Sequence, residues 1–250
     1  MLETALSQMF NTGQPAYDVI IPCFNRAGTI ERAVESVVAQ AIPPARIILV
    51  DDGSSDATAE VLLALEERYA SVQAVLLPRN GGASAARNAG LALARAEWVA
   101  FLDSDDAWLP GAAEALLAET ARADVVVGHF RRAWRSGIVD DAECGWDGGD
   151  ITAALALTGA IGPSWSLARR SSVVAVGGFD PSFHNCNDWD FYVRLAAEGA
   201  RFIRIDAVIA HYHVAEENRL SNDADAGAAN ARRVLAHPSL TTWRVPDQLV

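Results

Sequence analysis

Membrane-length apolar runs, paired cysteines and clustered basic charge are all missing from this 250-residue chain. No stretch approaches the roughly 20 consecutive apolar residues that cross a bilayer. Met1 to Pro15 carries no basic patch followed by a long apolar run, so no signal peptide is expected either. Three cysteines, Cys23, Cys144 and Cys186, form an odd set without metal-ligand spacing. They argue against a disulfide framework and for reduced thiols in a cytoplasmic protein. A formal charge of −12 offers no electrostatic grip on nucleic acid and no basic patch for anionic lipid. An anionic substrate stays possible where a bound metal supplies the local positive charge. There is no internal repeat, and no low-complexity tract beyond a general richness in alanine.

What is there is an alternation of short apolar runs with helical periodicity. Strands are expected at Val19-Ile20-Ile21, Arg46 to Val50, Val72 to Leu77, Trp98 to Leu102 and Asp124 to Val127. Helices are expected over Thr29 to Gln40, Asp56 to Tyr69, Ser84 to Ala94 and from Pro110 to about Arg122. Alternation of this kind indicates an α/β, doubly wound sheet flanked by helices. Past Gly128 the pattern weakens, and Arg131 to Thr152 reads as loops over a cleft. Regular signals return at Trp165 to Arg169, in a helix from Asp188 to Glu198, and in strands near Phe202 to Ile205 and Val208 to His211. A last helix, about Ala224 to Leu235, precedes a tail.

Two acidic signatures stand at the ends of apolar runs. Val50 leads into Asp51-Asp52-Gly53-Ser54-Ser55-Asp56, and Leu102 leads into Asp103-Ser104-Asp105-Asp106. In open α/β sheets ligands sit outside the carboxyl ends of the strands. Two carboxylate clusters at one sheet edge repel unless a cation or a donor-rich ligand lies between them. A divalent metal with a nucleotide diphosphate satisfies both. Phe24 offers either a stacking face for a base or an ordinary core aromatic, and Asp52 or Asp51 can accept from a uracil-type imide N–H. Asn25 serves the ligand or simply holds its loop. Gly81-Gly82 permits close backbone approach to a ligand. Arg87 can donate to ribose or diphosphate oxygens, or bridge to a cleft aspartate. Asp103 and Asp105 alternate on an extended segment and so point the same way. Asp56 is assigned to capping.

Taken in order, Val19-Ile20-Ile21-Pro22-Cys23-Phe24-Asn25, Val50 to Asp56, Arg79-Asn80-Gly81-Gly82, Ala86-Arg87-Asn88-Ala89-Gly90 and Phe101 to Asp106 resemble family 2 glycosyltransferases of the GT-A fold. Val176-Gly177-Gly178-Phe179-Asp180 and Asn187-Asp188-Trp189-Asp190 continue the resemblance, which covers about residues 17 to 215. It implies one GT-A domain over residues 1–250, with a Rossmann-like, mostly parallel sheet. A nucleotide-sugar-binding half would span 16–128, a smaller mixed acceptor-binding half 129–215, and a C-terminal helix and tail 216–250. It places Pro22, Phe24, Asn25, Asp51, Asp52, Gly82, Arg87 and Asp103 around the nucleotide, with Asp103 on the ribose or a metal-bound water. It gives Asp105 to the metal, Mn²⁺ or Mg²⁺, with His213 or His211 as a late histidine ligand.

Inverting transfer needs a base opposite the leaving group. The family carries it on an acidic pair, usually Glu-Asp, where this chain has Asn187-Asp188. Asp188 is the expected base, and Asn187 removes one negative charge beside the acceptor. The Gln-x-x-Arg-Trp string of processive synthases is missing, which favours transfer of one sugar. The expected donor is a nucleotide sugar, UDP-linked ahead of dTDP- or GDP-linked; the acceptor is a glycan, lipid-linked or small-molecule hydroxyl. The alternative is a catalytically inactive nucleotide-sugar-binding protein. No glycine-rich phosphate loop follows the first strand, which disfavours nucleotidyl transfer and NAD chemistry.

Overall fold

The run of β-branched and apolar residues from Tyr17 to Cys23 forms the buried central strand of the sheet in the computed structural model, which describes residues 15–134, 137, 139–142, 144–214 and 224–243. The expectations for residues 1–14, 215–223 and 244–250 fall outside the described residues. Strands β1 (Tyr17–Cys23), β2 (Arg46–Asp51), β3 (Val72–Leu76) and β4 (Trp98–Phe101) are joined by helices α1 (Ile30–Val38), α2 (Thr58–Arg68) and α3 (Ala83–Leu93). They pair only in parallel, in the spatial order β3-β2-β1-β4. Parallel strands need both faces covered, and this explains why their sequences are continuous apolar runs. Gly90 lets α3 lie close on β1: a Cβ there would sit 2.5 Å from Ile20 Cγ2.

The second half changes the pairing. Short β5 (Ala107–Trp108) and helix α4 (Ala112–Leu117) lead to β6 (Val125–Ala133) and β7 (Val139–Ala142). Helix α5 (Ile151–Leu155), a 3₁₀ turn at Pro163–Trp165, β8 (Ser166–Arg169), α6 (Arg170–Ala175), α7 (Asn187–Ala197), β9 (Phe202–His213) and α8 (Ala224–Leu235) follow. The sheet continues without a break as β4-β8-β6-β9-β5, with β7 beside β6. β8 is antiparallel to both β4 and β6, whereas β6 and β9 run parallel. The result is a mixed α/β sheet whose parallel portion carries the first half.

Three expectations need correction. Arg131 to Thr152 is not loop throughout, because β6 runs on to Ala133 and pairs with β7 and β9, and α5 follows. Its backbone is satisfied by neighbours on both sides, so polar Arg131 and Arg132 do not end it. The two late strands are one strand, β9, with a register shift opposite Gly128 that absorbs the polar step at Asp206. The helix after Pro110 stops at Leu117, whose carbonyl accepts from the Thr120 hydroxyl at 2.7 Å.

Candidate active site

Parallel pairing sets the site. Cys23 lies opposite Asp51 in the β1–β2 register, and Leu102 N–H donates to Ile20 O, so the ends of β1, β2 and β4 emerge at one edge. Asp52 and Asp105 consequently face one cleft of about 1370 Å³. Pro22, Phe24, Asn25 and Gly82 line the same cleft, as do Arg87, Asp103 and Asp188. Phe24 is 42% exposed, which rules out the core-aromatic reading and leaves its face open at the cleft wall.

The loop residues divide into those that face the cleft and those that build it. Asp51 turns away from the cleft wall: it accepts from Ser54 N–H at 3.3 Å and from the Ser54 hydroxyl. Asn25 adopts the left-handed conformation, φ 54°, and its side-chain oxygen accepts from Ser55 N–H at 2.9 Å. Asp56 is not the cap residue of α2, a position that falls to Ala57; from one residue earlier it accepts from Thr58 N–H at 3.0 Å. Asp52 holds the glycine loop, accepting from Gly81 N–H at 2.8 Å and Gly82 N–H at 2.7 Å, one on each oxygen. Burial raises the Asp52 carboxyl above its ordinary value; the two N–H groups oppose this and the neighbouring Asp51 adds to it.

Asp103, Asp105 and Asp106 each present a carboxylate oxygen within 4.8 Å of the others. Their environments differ. Asp103 Oδ1 accepts from Arg87 Nη2 at 2.6 Å, and Arg26 Nη2 approaches Asp105 Oδ2 at 3.8 Å. Asp106 is fully buried, with Oδ2 accepting from the Ser164 hydroxyl at 2.6 Å and Oδ1 from His213 N–H at 3.1 Å. Ser164 Oγ in turn accepts from Asp103 N–H at 3.1 Å. Asp106 therefore ties the acidic loop to the 163–165 turn and the end of β9, while Asp105 keeps its carboxylate on the cleft. Hard oxygen donors at this spacing suit Mg²⁺ or Mn²⁺. Among the described residues the group contains carboxylates alone, without a histidine. His213 is fastened beside it through its backbone, between the cleft-lining Tyr212 and Val214. His211 sits on β9, where burial, with Arg131 nearby, pushes its imidazole down.

Arg87 joins the two sides of the cleft. Besides Asp103 it donates from Nη1 to Asn187 Oδ1 at 3.0 Å, and its guanidinium lies 5.0 Å from the Phe179 ring centroid. Asn88 supports that ring's backbone, accepting from Phe179 N–H at 2.9 Å and donating to Phe179 O at 2.7 Å. Asp188 follows on the first turn of α7, with Trp189 N–H donating to its Oδ1 at 2.8 Å. Burial raises the Asp188 carboxyl; Arg87 and the Trp189 N–H pull it down, and Asp103 pushes it up. A raised carboxylate that lines a cleft is a candidate proton acceptor. Asp190 pairs with Arg194 at 2.7 Å on the helix flank. Sequence reasoning missed Arg26, Ser164 and the Arg87–Asn187 bond. Arg26 could have been noticed as an arginine directly following the Phe24-Asn25 pair in an acidic chain; Ser164 carries no signal beyond the Pro163 turn.

Comparisons with known proteins find similarity in sequence and in fold. The model for "Glycosyl transferase family 2" matches residues 18–137. The succinoglycan biosynthesis protein ExoU of Rhizobium meliloti (strain 1021) is 30% identical over 199 residues, covering 74% of this chain and 58% of that protein. ExoO of the same organism is 37% identical over 115 residues, 45% of this chain and 32% of its own length. The chain thus spans from about a third to under two thirds of these relatives. The structure of S. aureus TarS 1–349 in complex with UDP-GlcNAc superposes with a TM-score of 0.69 at 20% identity, covering 88% of this chain and 70% of that one. That similarity shows the fold to be that of a GT-A glycosyltransferase. Residues 18–137, just under half of the chain, thus carry a region similar to glycosyl transferase family 2.

Proposed function

We propose that this chain is a metal-dependent, inverting glycosyltransferase that moves one sugar from a nucleotide sugar, UDP-linked, to an acceptor hydroxyl. The observation that carries the reading is Arg87, which spans Asp103 at 2.6 Å and Asn187 at 3.0 Å and so brings Asp188 into the cleft of Asp52 and Asp105. UDP-GlcNAc in the related TarS structure favours a uridine donor. Residues 16–128 form the donor half and 129–215 the acceptor half.

In this reading Phe24 stacks on the base and Asp52 accepts its imide N–H with lone pairs not used by Gly81 and Gly82. Pro22 and Asn25 shape the base pocket, and Gly82 opens the helix that carries Arg87. Asp51 contributes indirectly, by holding the Asp51–Ser54 turn. Asp103 meets the ribose, and Asp105, with His213 as its candidate companion, holds Mg²⁺ or Mn²⁺. When bound, that cation neutralises charge on the departing nucleoside diphosphate. Asp188 accepts the proton of the attacking acceptor hydroxyl from the opposite face. Arg87 keeps Asp103 in place beside it.

Asp188→Asn tests the reading. Transfer, followed as released UDP, should fall by about 10²-fold or more while UDP binding persists. Full activity in this variant overturns it. Binding of UDP without any release, over a broad acceptor panel and in the wild type, supports the inactive binding protein instead.

A further inference from the structure

Three cleft-lining arginines differ in what they face. Arg26 approaches Asp105 and Arg87 grips Asp103. Arg132 is exposed and has no carboxylate partner among the described residues; its cross-strand neighbour Asp140 gives an oxygen to Trp134 Nε1 at 2.8 Å instead. In a chain with 32 acidic against 20 basic residues, an arginine left without an acid at a cleft is unusual. The surface around it is aromatic. Phe130 and Arg132 share a face of β6 by alternation, and Tyr212 lies opposite Arg132 in the β6–β9 register. Trp165 stacks on Phe130 at 4.1 Å and 27°, and Tyr212 meets both edge-on, at 5.8 Å from Phe130 and 6.0 Å from Trp165. The Arg132 guanidinium stands 5.6 Å from the Phe130 centroid, a cation–π contact that orders the side chain without neutralising it.

This wall is fixed to the acidic loop. Trp165 directly follows Ser164, and Tyr212 directly precedes His213, the two residues that hold Asp106. A ring resting on Trp165 and Tyr212 is therefore kept in register with Asp105. The geometry points to an acceptor subsite for an anionic sugar: the aromatic wall takes the ring face, and Arg132 takes a carboxylate or phosphate oxyanion on it. This deepens the glycosyltransferase reading and rests on it. Guanidinium binds either oxyanion through paired N–H donors.

The test is ligand-observed NMR with three probes on the full chain: methyl β-glucuronide, glucose 6-phosphate and methyl β-glucoside. At least one anionic probe should bind about tenfold tighter than the neutral glucoside, as expected for one charge-assisted pair. The preferred probe distinguishes carboxylate from phosphate. Arg132→Gln should abolish the preference, Arg132→Lys should restore part of it, and neither should alter UDP binding. Equal affinities, no binding of any probe, or an Arg132→Gln variant that weakens UDP instead would overturn the subsite. UDP titration of the same samples separates the two readings: retained UDP binding without anion preference sinks only the subsite.

Discussion

Arg87 donates to Asp103 Oδ1 at 2.6 Å and to Asn187 Oδ1 at 3.0 Å, linking side chains 16 and 100 positions away along the chain. One planar guanidinium satisfies both because its donors diverge in a fixed fork. An ammonium cannot span them. Arg87→Lys should therefore lower kcat by about 10²-fold and destabilise the fold by about 2 kcal/mol, since a buried acceptor is left unpaired. Steady-state UDP release and denaturant unfolding of the same variant check both parts.

Asp188 predicts the shape of the pH profile. Burial raises its folded pKa, and the base works only when ionised, so the acidic limb of kcat should lie above the ordinary carboxylate value of about 3.9. Asn187→Asp sets a second carboxylate beside it and should move that limb further up, while Asn187→Ser should not. An acidic limb unchanged by Asn187→Asp would count against Asp188 as the titrating base.

Stability should respond to acid in two opposed ways. Asp188 and Asp52 have raised folded pKa values, so their stabilising contribution is full below about 3.9 and is lost as pH rises through the folded values. Asp124 is the reverse: Arg201 and Arg169 hold it down to about 2, so its contribution is present above about 3.9 and lost as pH falls toward 2. Asp124→Asn should lower stability modestly at pH 7, because solvent screens its pair with the exposed Arg201, and by less at pH 3, measured by urea unfolding at each pH. An equal cost at both would show that its ion pairs contribute nothing.

Gly90→Ala should destabilise by about 1–3 kcal/mol, because the new methyl falls 2.5 Å from Ile20 Cγ2 between α3 and β1. The same change at Gly82 meets no atom within 4 Å, but φ there is +87°, so its cost is conformational and local to the loop that Asp52 grips. Thermal melts of the two variants, with and without UDP, separate a packing loss from a site loss. Gly82→Ala should weaken UDP binding more than Gly90→Ala does.

The first half was legible because its strands are buried on both faces and end in polar turns, so Asp52, Asp103 and Asp105 could be placed at one edge from periodicity alone. Asp188 was singled out only through the family resemblance, since a helix-start aspartate by its local pattern is equally a cap. What stayed hidden depends on chain crossings. Nothing in Asp51-Asp52 says which carboxylate turns to Ser54 and which to the glycine loop. The β9 bulge looked like a gap between strands because Asp206 interrupts the apolar run, while Gly128, which accommodates it, sits on another strand. Arg87 could be given an aspartate partner from sequence, but its second partner lies on α7, and local spacing carries no information about that.

The Asp106 fastening has a consequence for how the molecule comes together. Its carboxylate is secured by a backbone group 107 positions later, so the acidic loop cannot be set until β9 has docked beside β6. Closure over so long a separation is entropically slow, and proteins rich in such distant pairings cross their barriers late. A nascent chain released at residue 137, where the family match ends, would carry every motif of the proposed donor site yet hold its acidic loop slack. Catalytic competence should thus emerge only with the final strand, after most of the secondary structure is already in place.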